Sequence, residues 1–225
     1  MAIALKVQAP SSSFNPTTLI EFLLDETGSM MSCRDATISG FNEYVQSQKM
    51  NQSGSCLLSL TKFDSRGVNP VYQAKNVQEV PFLDANSYIP NASTNLYDAI
   101  GERIRAVEAQ LPGLPPETNV LMVIMTDGFD NCSMEFNAES IKTLIKDKES
   151  KGWSFVYLGA NQDAWKVGQT FGMGVGNSMS YDTNNIVGAM ATLSSSTEAY
   201  RGLRSKGVTG SIGDFFANNT NSSGE

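Results

Sequence analysis

The sequence predicts an α/β fold: a three-layer α/β/α sandwich with a doubly wound, mostly parallel sheet and one short antiparallel edge strand. Short apolar runs, typical of strands buried on both faces, alternate along the chain with segments of helical periodicity. Such alternation favours a parallel sheet covered by helices on both faces. The length of 225 residues suits one domain with a full hydrophobic core.

The predicted elements follow one another from residue 18 to residue 204. The run Thr-Leu-Ile-Glu-Phe-Leu-Leu at 18–24 is the first strand, and Val-Leu-Met-Val-Ile-Met at 120–125 is the clearest one. Turn residues at 64–67 predict a hairpin whose second strand, 68–74, is the antiparallel edge strand. The other predicted strands are 56–63 and 153–158, and the predicted helices are 33–49, 95–111, 138–150, 160–168 and 184–204.

We expect residues 1–17 to form an N-terminal arm, residues 18–204 a single domain and residues 205–225 a partly flexible tail. The arm is rich in Ser, Pro and Thr, and the stretch 216–225 offers little to bury. The glycine-rich run 172–176 lacks the Lys-Ser/Thr ending of a phosphate-binding loop, so we interpret it as a turn or a flexible loop.

The composition excludes several classes of function. The chain contains no histidine, which removes Ser-His-Asp and Cys-His catalytic arrangements and zinc sites built on imidazole. A formal net charge of −7 disfavours nucleic acid and anionic membranes as partners. Three cysteines fit no closed disulfide framework, so we expect reduced thiols, with a redox pair of Cys33 and Cys132 as the alternative.

The sequence also carries an expectation about localisation. The N-terminus lacks a basic start followed by a long apolar run, so no signal peptide is evident. No apolar run approaches the ~20 residues that a membrane helix needs. We therefore expect a cytoplasmic protein, with association with a virion as the alternative.

Oxygen-bearing side chains cluster directly after two of the predicted strands. Asp25, Thr27 and Ser29 follow the first strand, Asp127 follows the clearest one, and Thr94 begins a predicted helix between them. In sheets of this type, ligands bind beyond the carboxyl ends of the strands. Hydroxyl and carboxylate oxygens are hard ligands that suit Mg²⁺, Mn²⁺ or Ca²⁺. Three hydroxyls and two carboxylates acting partly through water would leave one coordination position open.

The pattern resembles the metal-ion-dependent adhesion site (MIDAS) of von Willebrand factor A domains, written Asp-x-Ser-x-Ser, then Thr, then Asp. Asp25, Thr27 and Ser29 match the first part, with Thr in place of the first Ser, and Thr94 and Asp127 match the rest. The resemblance implies that Thr27 and Ser29 bind the ion directly and that Thr94 binds directly or through water. It implies that Asp25 and Asp127 act mainly through waters and hydroxyls. Helix capping could explain one residue of the first part, but it does not explain the matching Thr94 and Asp127.

The resemblance extends to the segment 152–164, which is similar to small free-standing bacterial and phage-encoded members, and it covers about residues 18–204. It implies a Rossmann-like fold and a protein-interaction module, not an enzyme. The module would bind an Asp or Glu carboxylate of a protein partner through Mg²⁺, with Mn²⁺ and Ca²⁺ as alternatives.

Two other functions are weighed against the interaction module. The chain could be a structural subunit of a larger assembly, such as a virion, in which the metal is incidental. A metal-dependent phosphatase or hydrolase is disfavoured, because the haloacid-dehalogenase-like motif needs an Asp at the position of Thr27. In addition, neither a histidine nor a well-placed lysine offers a general acid or base.

Three acidic residues near the predicted site have simpler interpretations. We interpret Asp130 as a solvated loop carboxylate or a helix cap and Asp163 as a helix cap, rather than as parts of the site. Glu26 is expected to point to solvent or toward a partner.

Overall fold

The computed structural model describes residues 15–160 and 164–216. Its six-stranded sheet has the order β3-β2-β1-β4-β5-β6, and every neighbouring pair is parallel except β2 and β3. The predicted doubly wound, mostly parallel α/β sandwich is therefore confirmed. The elements are β1 (Thr17–Asp25), α1 (Arg34–Met50), β2 (Ser55–Asp64), β3 (Gly67–Asn76), α2 (Leu96–Gln110), β4 (Asn119–Thr126), α3 (Ala138–Ser150), β5 (Ser154–Ala160), α4 (Ala164–Thr170), β6 (Ser178–Tyr181) and α5 (Ile186–Ser205).

Two hydrophobic cores lie on opposite faces of the sheet. Side chains alternate between the faces of a strand, so Phe22 of β1 joins the core under α1 and α5, whereas Leu23 joins the core under α2, α3 and α4. Helices α1 and α5 approach closely at Gly40, where a Cβ would lie 2.8 Å from Cγ of Met190. Burial on both faces explains why the central strands are nearly continuous apolar runs.

The edges of the sheet differ from the prediction. The antiparallel edge strand β3 is confirmed, but it has ten residues. The opposite edge strand, β6, is not predicted. Its four residues, Ser-Met-Ser-Tyr, alternate polar and apolar side chains, but four residues are the shortest run that indicates a strand. The predicted turn at 172–176 is present, and Gly172 has the left-handed φ of +79° that favours glycine.

The segment after α5 packs against the domain. Phe215 and Phe216 are buried, so the expectation that residues from 216 onward bury little is wrong for Phe216. The Asn177 side chain fixes this segment: its Nδ2 donates to the Ile212 carbonyl at 2.6 Å, and its Oδ1 accepts from the Phe215 N–H at 3.0 Å. Most of the predicted arm, the C-terminal residues 217–225 and Asp163 lie outside the described residues.

The described helices carry no candidate membrane span. Within residues 15–160 and 164–216, none of them combines the length and the apolar character that crossing a bilayer requires. Cys33, Cys56 and Cys132 are free thiols. Burial raises the pKa of both Cys33 and Cys132, so neither thiol is activated by a lowered pKa.

Candidate metal centre

Strands β1 and β4 end at the same level of the sheet, and this places Asp25 at the base of the candidate site. Leu24 lies beside Met125 in the parallel register, so the next residue of each strand, Asp25 and Thr126, meets at the carboxyl edge. The Thr126 hydroxyl donates to Asp25 Oδ2 at 2.5 Å, and the Thr27 backbone N–H donates to Oδ1 at 2.7 Å. The buried carboxylate of Asp25 is therefore held in a fixed orientation.

A chain of side-chain oxygens leads from the buried base of the site to its surface. The hydroxyl oxygens of Thr27 and Ser29 lie 3.1 Å apart, and the Ser29 hydroxyl donates to Asp127 Oδ1 at 2.6 Å. Thr27 is buried, whereas Ser29 is exposed. Octahedral coordination at 2.0–2.1 Å separates adjacent ligand oxygens by about 2.9 Å. The observed separations are those of hydrogen bonds, and they also leave these oxygens close enough together to be adjacent ligands of a small divalent cation.

Thr94 reaches the same place through its backbone. Its N–H donates to Asn131 Oδ1 at 2.9 Å, and its carbonyl accepts the N–H groups of Asn131 and Cys132 at 3.0 and 3.2 Å. These bonds tie the residue to the loop that follows β4. A Cβ at Gly128 would lie 3.2 Å from Thr94 Oγ1, so this hydroxyl lies directly beside the residue that follows Asp127.

The electrostatics of the site leave its two carboxylates without a protein cation. Burial raises the pKa of Asp25 to about 6, although hydrogen bonds from Thr126 and Thr27 oppose the shift. Burial also raises the pKa of Asp127, opposed by the Ser29 hydroxyl. In the described part of the chain, neither carboxylate forms an ion pair with a lysine or an arginine. A bound cation would lower the free-energy cost of ionising both groups.

The donor set determines which ions could bind. No group of three acidic or thiol side chains that could hold a metal occurs within residues 15–160 and 164–216. Hydroxyl oxygens would therefore have to supply part of the coordination. Such a set of neutral and anionic oxygens suits a hard divalent cation, because soft metals favour thiolate ligands.

Glu26, which follows Asp25, does not point to solvent as expected. It is buried, and its Oε1 accepts from Lys62 Nζ at 2.7 Å and from the Ile89 N–H at 2.7 Å. The Tyr88 hydroxyl donates to the Asp25 carbonyl at 2.6 Å. Glu26 therefore attaches the loop containing Tyr88 and Ile89 to the end of β1, beside the site.

The sequence interpretation of Asp130 agrees with its contacts. Asp130 Oδ1 accepts from the Tyr97 N–H at 3.2 Å, in the first turn of α2, and it also accepts the Ser133 hydroxyl. The residue is therefore a helix cap that connects the loop after β4 to α2.

Sequence reasoning gave no role to two residues that position Asp25. Thr126 directly precedes Asp127 at the end of a buried strand, and this position was the available signal. Tyr88 lies in an irregular segment without any pattern in its sequence, and only the fold brings its hydroxyl to β1.

The chain is similar to known proteins in its fold and not in its sequence. Neither a protein-family model nor a curated protein sequence matches the chain. Solved structures do match: proximal thread matrix protein 1 from the mussel byssus has 12% identity and a TM-score of 0.58 over 79% of this chain and 47% of that one. The pilus adhesin SpaC from Lactobacillus rhamnosus GG, in its open conformation, has 14% identity and a TM-score of 0.61 over 84% of this chain and 31% of that one.

A third match is to a domain of similar size. The von Willebrand factor domain of the type V pili tip protein Mfa5 from Porphyromonas gingivalis has 8% identity and a TM-score of 0.58 over 83% of this chain and 96% of that one. The chain thus spans about half or less of the mussel and SpaC proteins. Another structure of the mussel protein has a zinc-occupied MIDAS motif, with 12% identity and a TM-score of 0.56.

These matches describe an α/β domain with a mostly parallel sheet. The fold is that of von Willebrand factor A domains.

Proposed function

We propose that the chain is an interaction module that binds a protein partner through a divalent cation, with Mg²⁺ as the preferred ion. The observation that carries the proposal is the oxygen chain of Thr27, Ser29 and Asp127. The Thr27 and Ser29 hydroxyls lie 3.1 Å apart in one loop, and Ser29 donates at 2.6 Å to Asp127, which lies 98 residues further along the chain. Helix capping does not explain it, because neither hydroxyl caps the helix that follows.

Each residue of the site has a distinct role in this proposal. Thr27, Ser29 and Thr94 contribute hydroxyl ligands, and the two aspartates supply the negative charge that offsets the cation, acting through hydroxyls and waters. Asp25 also orients the loop through the N–H of Thr27, and the Ser29 hydroxyl donates a hydrogen bond to Asp127. A bound cation would supply a coordination position for a carboxylate oxygen of the partner.

The fold agrees with a binding role. The mussel protein is a thread matrix protein, and SpaC is a pilus adhesin. This chain contains no histidine, and the site contains no lysine or arginine among the described residues. A hydrolytic reaction would have only the carboxyl groups of Asp25 and Asp127 as acid or base, and in this proposal both of them offset the charge of the cation, so we do not propose an enzyme.

The test compares two sets of variants. Isothermal calorimetry measures Mg²⁺ binding to the wild-type chain, to an Asp25→Ala/Ser29→Ala variant and to Ser32→Ala. Ser32 is an exposed hydroxyl in the same turn that donates to the Ser29 carbonyl and is not one of the five candidate ligands, so it is the matched control. We expect binding by the wild type and by Ser32→Ala and none by the double variant.

The same three proteins then serve as bait in a lysate of the source organism, with Mg²⁺ or with EDTA. We expect a partner that the wild type and Ser32→Ala retain in Mg²⁺ and release in EDTA. Retention of the same partner by the folded double variant would contradict the metal bridge. Self-association of the chain that is the same in Mg²⁺ and in EDTA would favour the structural-subunit alternative.

A further inference from the structure

Three large apolar side chains are exposed beside the candidate metal centre, each on a different loop. Met31 is 51% exposed, Ile89 54% and Phe129 63%. Met31 lies two residues after Ser29, Phe129 lies two residues after Asp127, and the N–H of Ile89 binds the side chain of Glu26. Scattered exposed apolar residues are normal on a protein surface, but here three loops present them at one edge of the sheet.

The loop that carries Phe129 is built to hold its ring in solvent. Thr94 binds the backbone of Asn131 and Cys132 on one side of the loop, and Asp130 accepts from the Tyr97 N–H of α2. The loop is therefore attached at both Thr94 and α2 immediately after its aromatic residue. An aromatic ring that is exposed on an attached loop has little route to bury itself within the chain.

The loop that carries Ile89 is attached in the same way. Glu26 accepts its N–H, Lys62 Nζ bridges Glu26 Oε1 at 2.7 Å and the Ser87 carbonyl at 2.8 Å, and the Tyr88 hydroxyl binds the end of β1. The two residues that flank the exposed Ile89, Tyr88 and Pro90, are both buried.

Met31 lies in a short 3₁₀ helix, Gly28–Cys33, whose inner side packs against the core. Its neighbour Met30 and the later Cys33 are buried in the core under α1, so the helix can present only its outer side to solvent. The Met31 side chain is therefore held outward by the packing of Met30 and Cys33.

From these contacts we infer that Met31, Ile89 and Phe129 form an apolar collar around the candidate cation position, and that it selects a partner carboxylate flanked by apolar side chains. The inference rests on the proposed function and names the chemistry of its partner. The chain carries a formal charge of −7 and repels an acidic partner, so cation coordination needs a second source of affinity. Apolar contact at the rim supplies it without adding charge, and partly buried aromatic residues are common binding hot spots.

The test uses three short cyclic peptides as probes. They are identical except for a central Leu-Asp-Phe, Ser-Asp-Ser or Leu-Asn-Phe. NMR titration measures their affinity for the wild type, for Phe129→Ser and for Val175→Ser, in saturating Mg²⁺ and in EDTA. Val175 is 62% exposed and lies before the amino end of β6, away from the site, so it matches Phe129 in exposure.

We expect the Leu-Asp-Phe peptide to bind the wild type about tenfold more tightly than the other two, and only in Mg²⁺. Phe129→Ser should bind the Leu-Asp-Phe and Ser-Asp-Ser peptides equally well while its Mg²⁺ affinity stays unchanged. Val175→Ser should keep the wild-type preference for Leu-Asp-Phe and the wild-type Mg²⁺ affinity. Equal, Mg²⁺-dependent affinity for both Asp peptides would overturn the collar and leave the metal bridge standing. Tight binding of Leu-Asn-Phe, or no detectable binding of Leu-Asp-Phe, would also overturn it. Binding that ignores EDTA would instead contradict the proposed function itself.

Discussion

Two carboxylates are fully buried on the same strand, four residues apart, and only one of them has a cation supplied by the protein. Glu21 accepts from Arg103 Nε at 2.9 Å and Nη2 at 3.2 Å, and from the Thr61 hydroxyl at 2.9 Å. Among the described residues, Asp25 accepts only from the neutral donors of Thr126 and Thr27.

The difference separates a structural charge from one that is available for binding. In the middle of β1, Glu21 is surrounded by protein, and its ion pair with Arg103 must be complete because water cannot reach it. At the end of β1, Asp25 lies under a chain of hydroxyls that reaches the surface at Ser29. A buried acid without a partner, at the place where loops meet, is a candidate for an external cation.

The largest expected effect comes from breaking the complete pair. Arg103→Met leaves Glu21 charged and buried, and it should lower the free energy of unfolding by about 3–5 kcal/mol in urea denaturation. Glu21→Gln combined with Arg103→Met leaves no charge and should recover most of the loss. A cost below about 1 kcal/mol for Arg103→Met alone would show that the pair does not differ from a surface contact.

Adding Mg²⁺ should supply the cation that Asp25 lacks and so stabilise the folded protein. Mg²⁺ at a hundred times its Kd should raise the free energy of unfolding by about 2.7 kcal/mol over that in EDTA, because it binds only the folded state. The Asp25→Ala/Ser29→Ala variant should not respond. An equal response of that variant would place the bound ion elsewhere in the molecule.

Removing the charge of Asp25 should raise the free energy of unfolding, whereas removing Arg103 should lower it. Its pKa of about 6 in the folded state exceeds the ordinary value of 3.8, so the folded state holds an extra proton between these values. In EDTA, the wild type should therefore lose stability as pH rises from about 4 to about 6. The Asp25→Asn variant should lose less stability over the same rise in pH. At neutral pH its free energy of unfolding should exceed that of the wild type by about 1–3 kcal/mol.

The control for this measurement is Asp35→Asn, which changes an exposed carboxylate in the first turn of α1. Urea denaturation across the pH range in EDTA supplies the data. Parallel curves for the wild type and Asp25→Asn would mean that Asp25 ionises without cost, and the comparison with Glu21 would lose its basis.

The smallest effect tests the placement of Thr94. Gly128→Ala adds a Cβ 3.2 Å from Thr94 Oγ1, which displaces the hydroxyl by a few tenths of an ångström. We expect Mg²⁺ affinity to fall about 3–10-fold in calorimetry, while stability changes by less than about 1 kcal/mol. Gly113→Ala, where a Cβ would meet nothing within 4 Å, is the control. Unchanged affinity in Gly128→Ala would argue against Thr94 as a ligand.

The central part of the fold follows from sequence because burial on both faces leaves a strong pattern. Strands such as β1 and β4 are nearly continuous apolar runs, and the polar residues directly after them mark the carboxyl edge. The short strand β6 leaves a weaker pattern, because the alternation of Ser-Met-Ser-Tyr spans only four residues and the pairing of β6 with β5 has no local signal.

For the candidate site, the sequence indicated which residues to examine but not how they are supported. Asp25, Thr27, Ser29 and Asp127 come together as the spacing predicted, and their role as metal ligands stays a prediction. The burial of Glu26 was missed, because an acidic residue in a loop is usually solvated. Its partner Lys62 lies on a different strand, and a pairing at that separation has no local signal.

The packing of the C-terminal segment decides where this protein can be shortened or joined to another. Helix α5 ends at Ser205, and a chain cut there would resemble a complete domain in sequence. It would lack the ring of Phe215, whose centroid lies 6.0 Å from that of Tyr200, and so would leave an apolar surface open at the base of the sheet. A soluble recombinant version should therefore extend past Phe216, with any fusion partner attached beyond that residue.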